Sequence, residues 1–352
     1  MEDTLYGISA FRYHRTPPQV LALLPPVPHT ALDSRRILFK DHLLIKDSIG
    51  IPVHLAAESR CGRTGKKLLK HHLVSGELPF GSVWDTLHGL RVASPLLTLY
   101  QLAATLSKAQ LAMAMYEMCG TFAVFKPSPA LEELLQSAQA HGCLPASTWR
   151  RIADGGGKPS SLWKRPPLVE IDELRSFAAG MGGRRHSVKF QQAAELVTGV
   201  CASPFEVQLS LLLAAPRSEG GEGLRCFENN KQISLSSKAA RIADQRNCYA
   251  DLYFDGAHDS RGLVVECQSR MIHDNARALV SDSDRMAALQ QMGFDVLPLT
   301  YDQIAYPANF DIVVRMIFKK LVRRYAEKSP RQQKAQHDLR RELFINWETL
   351  GE

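Results

Sequence analysis

The alternation of apolar and polar residues between positions 203 and 300 predicts six elements in the order α-β-β-β-α-β. A helix begins at SPFEVQLSLLLAA, and strands follow at KQISL, NCYADLYF and GLVVECQ, the last two joined by the turn-rich DGAHDSRG. A second helix, SDSDRMAALQQM, ends at Gly293, and the strand FDVLPLT comes next. This part of the chain therefore predicts an α/β (α+β) fold.

The N-terminal part predicts a smaller domain that is mixed α/β and helical. Residues 35–57 contain short β-like runs separated by turn residues. Ser94, followed by proline, is a strong helix start. Ser107 and Gln110 form a capping-box pattern before a second helix, which we expect to end at a left-handed Gly120.

The length of 352 residues exceeds what one hydrophobic core usually organises, so we expect two domains. Residues 154–168 concentrate Gly, Pro and Ser and should resist regular structure, which makes them the best linker candidate. The predicted division is an N-terminal domain over 1–153, a second domain over 169–310 and a helical extension over 311–352, broken at Ser329.

The distribution of charge suits a polyanionic partner. The net charge is +7 and the pI is near 9.0. Acidic residues outnumber basic ones in 201–310, whereas the segments on either side are basic. This pattern fits carboxylates that gather a cation between elements that meet phosphates, and it also fits ordinary solvated charge.

Cysteine usage and the apolar runs bear on the compartment. The seven cysteines are scattered with no CxxC pair, and the first residues lack the apolar run of a secretion signal, so we expect the reducing cytoplasm. The longest apolar stretches fall short of the roughly 20 residues that a bilayer span needs. No membrane association is expected. GxSxG, HExxH and zinc-finger spacings do not occur in the sequence.

Glu266 is the residue that most needs a chemical explanation. It lies inside GLVVEC, where an uncompensated carboxylate beside buried valines would cost several kcal/mol, so it needs a partner. Asp251 lies on the preceding predicted strand, and pairing of the two strands would bring the carboxylates together. Such an oxygen-rich site suits Mg²⁺ or Mn²⁺. The natural chemistry of that metal site is phosphodiester hydrolysis.

These residues carry a resemblance to a known family. The array Ser203-Pro204-x-Glu206, Asp251, Glu266-x-Gln268 and Asp282-x-x-Arg285-x-x-x-Leu289-x-x-x-Gly293 resembles endonuclease domains related to very-short-patch-repair endonuclease. These domains belong to the PD-(D/E)xK superfamily. The resemblance covers about 100 of the 352 residues and implies a restriction-endonuclease-like mixed sheet flanked by helices.

The resemblance also implies roles for single residues. Asp251 and Glu266 would bind the metal, Glu206 on the first helix would assist, and Gln268 would occupy the position usually held by Lys. Family members often have Glu-x-Asp-Gly after the acidic residue, with a histidine about six positions on. This chain has Glu-Cys-Gln-Ser, and its nearest histidine, His273, is seven positions on. These departures concern the residues of the implied active site rather than the implied fold.

Each candidate also has a structural interpretation. Ser203-x-x-Glu206 is a complete capping-box pattern, which needs no catalytic role. Asp251 could instead pair with a nearby arginine, Arg246 or Arg261, and Gln268 could bond locally. The remaining two candidates are His273, which could be a surface histidine, and Arg285, which could be structural or phosphate-contacting.

A weaker resemblance lies in the N-terminal half. The run from Gly89 to Ala103, followed by the helix Ser107–Cys119, is similar to the middle region of AbiEi-type antitoxin and regulator proteins. That segment often precedes a short-patch-repair-like domain in bacterial chains. The resemblance implies a DNA-linked setting for the whole chain.

The sequence thus predicts a cytoplasmic bacterial DNA endonuclease or nickase that uses Mg²⁺ or Mn²⁺ at Asp251 and Glu266. The alternative is a catalytically inactive nuclease fold that acts as a DNA-binding regulator or antitoxin-like protein. A protein-interaction module of a phage-defence system is a third possibility. Besides Arg285, the candidate phosphate contacts are Arg184, Arg185, Lys319, Lys320, Arg323 and Arg324.

Overall fold

The computed structural model describes residues 4–27, 41–57, 68–74, 81–256, 261–268 and 276–351, and for 276–282 it describes the backbone alone. The described residues form helices and three β-sheets, so the chain is α+β, as predicted. Within these ranges every helix is too short or too polar to span a lipid bilayer.

The first sheet has five strands, in the order β3-β2-β1-β5-β4. Its short strand β1 pairs with β2 antiparallel and with β5 in parallel. Helices α1 (Gly7–Arg15) and α2 (Pro18–Leu21) and a π-helix (Leu44–Ile49) accompany it. The strands are β1 Thr4–Leu5, β2 Val53–Ala57, β3 Leu69–Leu73, β4 Val83–Asp85 and β5 Arg91–Ala93.

The prediction of β-like runs over 35–57 is confirmed only at its end. Strand β2 occupies Val53–Ala57, whereas Leu44–Ile49 is helical. Residues 35–40 lie outside the described part of the chain. Four of the six residues in the π-helix are buried, so its apolar residues face the core from a helix rather than from a strand.

The middle of the chain supplies five helices, and their caps follow the sequence closely. The Ser94 side chain accepts a hydrogen bond from Leu97 N, and Ser107 forms the predicted capping box with Gln110. The five helices are α3 Pro95–Leu102, α4 Lys108–Cys119, α5 Pro129–Ala140, α6 Ile171–Ala179 and α7 Ser187–Ala194.

Gly120 ends α4 as predicted, but for a different reason. Its φ is −84°, so it is not in the left-handed region. A Cβ at this position would lie 2.6 Å from the carbonyl oxygens of Tyr116 and Cys201. Close packing, rather than backbone conformation, therefore requires glycine here.

The second sheet shows that the prediction of an irregular segment over 154–168 is wrong. Strands β6 (Phe122–Val124), β7 (Arg150–Ala153) and β8 (Pro159–Lys164) form it in the order β6-β8-β7. Asp154 Oδ1 accepts hydrogen bonds from Gly156 N at 3.0 Å and Lys158 N at 2.8 Å. The glycines thus form the tight turn of a β-hairpin, a role that their composition did not distinguish from a linker.

The third sheet and its helices contain the six predicted elements in the predicted order, with one unpredicted helix between the first two strands. Helix α8 (Pro204–Ala214) precedes its four strands, which lie in the order β12-β11-β10-β9. Strand β11 pairs with β12 in parallel, and the other two pairings are antiparallel. The elements are β9 Phe227–Ser234, an additional helix α9 Ser237–Ala243, β10 Asn247–Asp255, β11 Gly262–Gln268, α10 Ala276–Gln291 and β12 Asp295–Thr300.

The C-terminal residues are mostly helical, and a helix begins at Pro330 with Ser329 as its cap, but the preceding helix already ends at Lys320, earlier than the predicted break. Helices α11 (Tyr301–Ala305), α12 (Pro307–Lys320) and α13 (Pro330–Leu343) are followed by a short 3₁₀-helix, Trp347–Thr349. The largest buried apolar cluster contains Phe11 and Met115 together with residues such as Leu212 and Ile317. The segments on the two sides of 154–168 therefore share one core.

A buried ion pair connects the parts that share this core. Glu117 of α4 is fully buried, and its Oε1 accepts hydrogen bonds from Arg15 Nε at 2.7 Å and Val124 N at 2.9 Å. Arg15 also donates to the carbonyl oxygen of Trp347 at 2.7 Å. The guanidinium of Arg165 donates to the Glu117 carbonyl oxygen. One carboxylate thus links α1, α4, β6 and, through Arg15, the C-terminal 3₁₀-helix.

Removal of the Glu117 carboxylate should destabilise the whole chain. We expect Glu117→Ala to lower the free energy of unfolding by about 3–5 kcal/mol, because it leaves the buried Arg15 without its counter-charge. Guanidinium unfolding followed by fluorescence and circular dichroism measures this change. Glu133→Ala, on the exposed face of α5, is the matched control. Equal stability of the two variants would contradict the assigned role.

A candidate acidic site on the third sheet

The site is built on the β10/β11 hairpin that the sequence predicts. The antiparallel register pairs Leu252 with Val265 and Tyr253 with Val264. Asp251 directly precedes Leu252 on β10, and Glu266 directly follows Val265 on β11. The two candidate metal ligands therefore lie on neighbouring strands, each next to the same pair of residues.

Asp251 lies where β10 changes face. Along β11, Val264 packs into a small cluster on one face, and its neighbours Leu263 and Val265 belong to the main core on the other. Along β10, Ala250 packs into the small cluster, whereas Leu252 belongs to the main core, although a regular strand would place both on one face. The backbone must therefore rotate between these residues, at Asp251.

Hydrogen bonds hold Asp251 at this irregular position. Its Oδ2 accepts from Cys267 N at 2.7 Å, and its carbonyl oxygen accepts from Asn229 Nδ2 at 3.2 Å. Asn229 also donates to Ser210 Oγ at 2.8 Å and accepts from Thr198 Oγ1 at 2.5 Å. Side chains from β9 and α8 thus fix the strand where it carries the carboxylate.

Glu266 is only 2% exposed, and Arg285 of α10 supplies the partner that its burial demands. The guanidinium donates directly to Glu266 Oε2. Arg285 could be structural or phosphate-contacting by its sequence, and the structure shows it in an ion pair with Glu266. A positive side chain on the helix therefore neutralises the carboxylate that the sequence assigns to a metal.

The position of Glu206 fits both interpretations that the sequence allows, as a helix cap and as a residue of the acidic site. Ser203 Oγ accepts from Glu206 N at 3.3 Å and donates to Glu206 Oε1 at 2.7 Å. Glu206 Oε2 accepts from Ala202 N at 2.7 Å, one residue before the position that a regular capping box uses. Burial, and next the negative charge of Asp251, raise the pKa of Glu206 to about 8, and Arg285 opposes this shift. The side chain both caps α8 and adjoins Asp251.

Two thiols near the carboxylates, the buried Cys201 and the half-buried Cys267, were not among the predicted site residues. Burial raises the pKa of Cys201 and Cys267 well above the usual thiol range, and Glu206 and Asp251 raise both further. Both thiols therefore stay protonated. Cys267 directly follows Glu266 in the sequence, but nothing in the sequence indicates that Cys201 lies beside it.

The remaining candidates of the motif lie at the end of β11 or beyond it. Gln268 is half-buried and pairs in register with Thr300 of β12. It stands where the resemblance expects Lys, and the positive charge near Glu266 comes from Arg285 instead. His273 lies outside the described residues.

The site has suitable donors for Mg²⁺ or Mn²⁺, but the donors are not arranged as a ready cluster. Carboxylate oxygens of Glu206, Asp251 and Glu266 are the hard ligands that these ions prefer. Among the residues that the structure describes, no group of three or more His, Cys, Asp or Glu side chains is positioned to hold a metal ion. A cation held by these carboxylates would therefore require the side chains to rearrange.

The predicted phosphate contacts of α12 lie away from these carboxylates. Lys320 Nζ is 3.0 Å from Asp295 Oδ1, and Asp295 pairs in register with Leu263, three residues before Glu266. Three strand residues span roughly 10 Å. Arg323 lines a cavity of about 550 Å³ together with Arg225, towards the same end of the sheet. The other exposed candidates are Arg184, Arg185, Lys319 and Arg324.

Comparisons with protein-family models, with curated proteins and with solved structures each found no significant match to this chain.

The raised pKa of Glu206 gives stability a specific pH dependence. A carboxyl whose pKa is about 8 in the folded chain and near 4.5 when unfolded stabilises the fold at acidic pH. That contribution falls as the pH rises from about 5 and is lost above about 8. We expect wild type to lose more stability than Glu206→Gln over this window, measured by guanidinium unfolding at several pH values.

Asp251→Asn should reduce the same pH dependence, because it removes the negative charge that raises the pKa of Glu206. Asp255→Asn is the matched control, since Asp255 lies on the same strand and is exposed. If the unfolding free energies of wild type and Glu206→Gln changed equally with pH, the pKa of Glu206 would be that of an ordinary carboxyl, and the prediction would be wrong.

Proposed function

We propose that this chain is a metal-dependent DNA endonuclease or nickase of the PD-(D/E)xK type, with a restriction-endonuclease-like domain around its third sheet. The order of α8, β9, β10, β11, α10 and β12 supports this proposal. So does the placement of Glu206 on α8, Asp251 on β10 and Glu266 on β11. The DNA partner and a cytoplasmic setting in a bacterial cell belong to the same proposal.

The observation that carries the proposal is the proximity of Glu206 to Asp251. Burial and the charge of Asp251 raise the pKa of Glu206 to about 8, so Glu206 keeps its proton, and its ionisation would set two like charges near each other. A bound cation would offset that repulsion and favour the ionised form. A purely structural site would gain more from a neutral side chain at one of the two positions.

In the proposed site Asp251 and Glu266 hold the cation, and Glu206 is the third carboxylate beside them. Bound Mg²⁺ or Mn²⁺ supplies a Lewis acid for the scissile phosphate and lowers the pKa of water. Glu206 must lose its proton to take part, so metal affinity should rise with pH up to about 8. Arg285 orients Glu266 and brings a guanidinium that can contact a phosphate oxygen.

The basic residues outside the site would hold the DNA backbone. Arg184, Arg185, Lys319, Arg323 and Arg324 are exposed and available for phosphate contacts. Binding through them should weaken steeply with salt, because each phosphate contact releases counterions.

A second candidate is a catalytically inactive nuclease fold that serves as a DNA-binding regulator or antitoxin-like protein. The ion pair between Arg285 and Glu266 favours it, since it satisfies the buried carboxylate without a metal. The neutral Gln268 at the position of the expected Lys points the same way. This candidate predicts salt-dependent DNA binding without cleavage and without measurable affinity for divalent cations.

Nicking of supercoiled plasmid in Mg²⁺ or Mn²⁺ tests the leading proposal. We expect Asp251→Asn and Glu266→Gln to lower the nicking rate by about 100-fold or more, because each removes a proposed metal ligand. Asp255→Asn, with the same chemical change on the same strand, should keep wild-type activity. Titration calorimetry with Mn²⁺ at pH 6.5 and 8 measures the expected pH-dependent affinity.

The outcomes separate the two candidates. Nicking and Mn²⁺ binding that both disappear in Asp251→Asn support the endonuclease. Salt-dependent DNA binding by a wild type that neither binds Mn²⁺ nor nicks supports the inactive regulator. Nicking that is unchanged in Asp251→Asn and Glu266→Gln comes from another site or a contaminant, and it refutes the proposed active site.

A further inference from the structure

A second site lies in a different part of the molecule, between its N-terminal and C-terminal elements. A cavity of about 310 Å³ is lined by residues of α1, of the π-helix, of the segment after β6 and of the C-terminal 3₁₀-helix. Small-molecule pockets commonly begin at roughly this volume. The cavity contains none of the candidate nuclease residues.

The lining of this cavity is basic. Arg12 and Arg15 of α1, Lys46 of the π-helix and Lys126 after β6 all contribute to it. The residues come from three segments that are far apart in sequence, so their charges converge only in the folded chain. Lys46 is exposed, and the Lys126 side chain is 65% exposed, so both can turn towards a ligand.

One of the four positive charges is fixed in place. Arg15 is only 3% exposed and is held by Glu117 and by the Trp347 carbonyl oxygen. Arg12 lies directly beside Gly50, where an added Cβ would collide with its guanidinium. Gly50 has a φ of +80°, which favours glycine, and a larger residue there would displace the Arg12 side chain.

Two carboxylates also line the cavity, and both have partners. Asp47 Oδ1 accepts from Ser128 N at 3.0 Å, and Glu348 Oε2 lies 3.5 Å from Lys126 Nζ. The lining has four basic and two acidic side chains, and the buried Glu117 balances the charge of Arg15, so one net positive charge remains. The surroundings therefore favour an anion.

We propose that this cavity binds a phosphate-bearing ligand the size of one nucleotide, with Lys46 and Lys126 as the contacts that close on the phosphate. Lys and Arg side chains form charge-assisted hydrogen bonds to phosphate oxygens, and Arg12 lies in the same lining as the two lysines. Phe125 adds an apolar wall for the rest of the ligand. The site is independent of the proposed nuclease site, and the phosphate belongs either to a free nucleotide or to the end of a nucleic acid.

Titration calorimetry of the full chain tests this site with AMP, adenosine and a 5′-phosphorylated hexanucleotide. We expect AMP, the hexanucleotide or both to bind, and adenosine to bind at least about tenfold more weakly than AMP if AMP binds, because it lacks the phosphate. Lys46→Glu/Lys126→Glu should weaken binding at least about tenfold by placing two negative charges at the phosphate. Lys158→Glu/Lys164→Glu makes the same charge change at exposed positions of the β7/β8 hairpin and should leave binding unchanged.

The preferred ligand identifies the source of the phosphate. Tighter binding of AMP indicates a free nucleotide, and tighter binding of the hexanucleotide indicates a nucleic-acid end.

If Lys46→Glu/Lys126→Glu does not fold, as judged by circular dichroism, Lys46→Met/Lys126→Met is measured in its place. Two results overturn the proposal: neither phosphorylated probe binds wild type at millimolar concentration, or both lysine pairs affect binding equally. Asp251→Asn should keep AMP affinity, so failure of the nuclease proposal would not affect this one.

Discussion

The buried carboxylate of Glu117 is the constraint on which the arrangement of this chain depends. A charge in a fully apolar setting would cost many kcal/mol, so the fold must bring partners to it. Arg15 comes from α1 and Val124 N from β6, and Arg15 extends the contact to the carbonyl oxygen of Trp347. Segments more than 300 residues apart are thereby held against one helix.

The acidic site also contains buried carboxylates that need partners, but these carboxylates are less fully compensated than Glu117. Glu266 has Arg285 as its direct counter-charge, whereas Glu206 accepts hydrogen bonds from neutral donors, and the effects of burial and of Asp251 on its pKa outweigh the opposing effect of Arg285. A structural carboxylate such as Glu117 is stabilised by its partners. Glu206 keeps its proton up to a pH of about 8, and this difference is the physical reason for treating the third sheet as a site of chemistry.

The two proposed sites use the framework in different ways. The acidic site depends on a rotation of β10 at Asp251, which Asn229 and the Cys267 amide hold in place. The basic cavity depends on Arg15, which takes part both in the Glu117 ion pair and in the cavity lining. A ligand phosphate there would meet a charge that is already fixed, so only the exposed lysines would need to be ordered on binding.

Local features of this protein were determined by the sequence alone, because they depend on residues a few positions apart. The caps at Ser94 and Ser107, the α-β-β-β-α-β order and the β10/β11 hairpin all follow from such short-range patterns. The hairpin turn within 154–168 did not, since glycine-rich composition suits a turn and a linker equally. The partner of Glu266, the proximity of Glu206 to Asp251 and the convergence of Lys46 with Lys126 were decided only by tertiary structure. Each joins segments that are distant along the chain, and side-chain electrostatics depends on distance in space rather than in sequence.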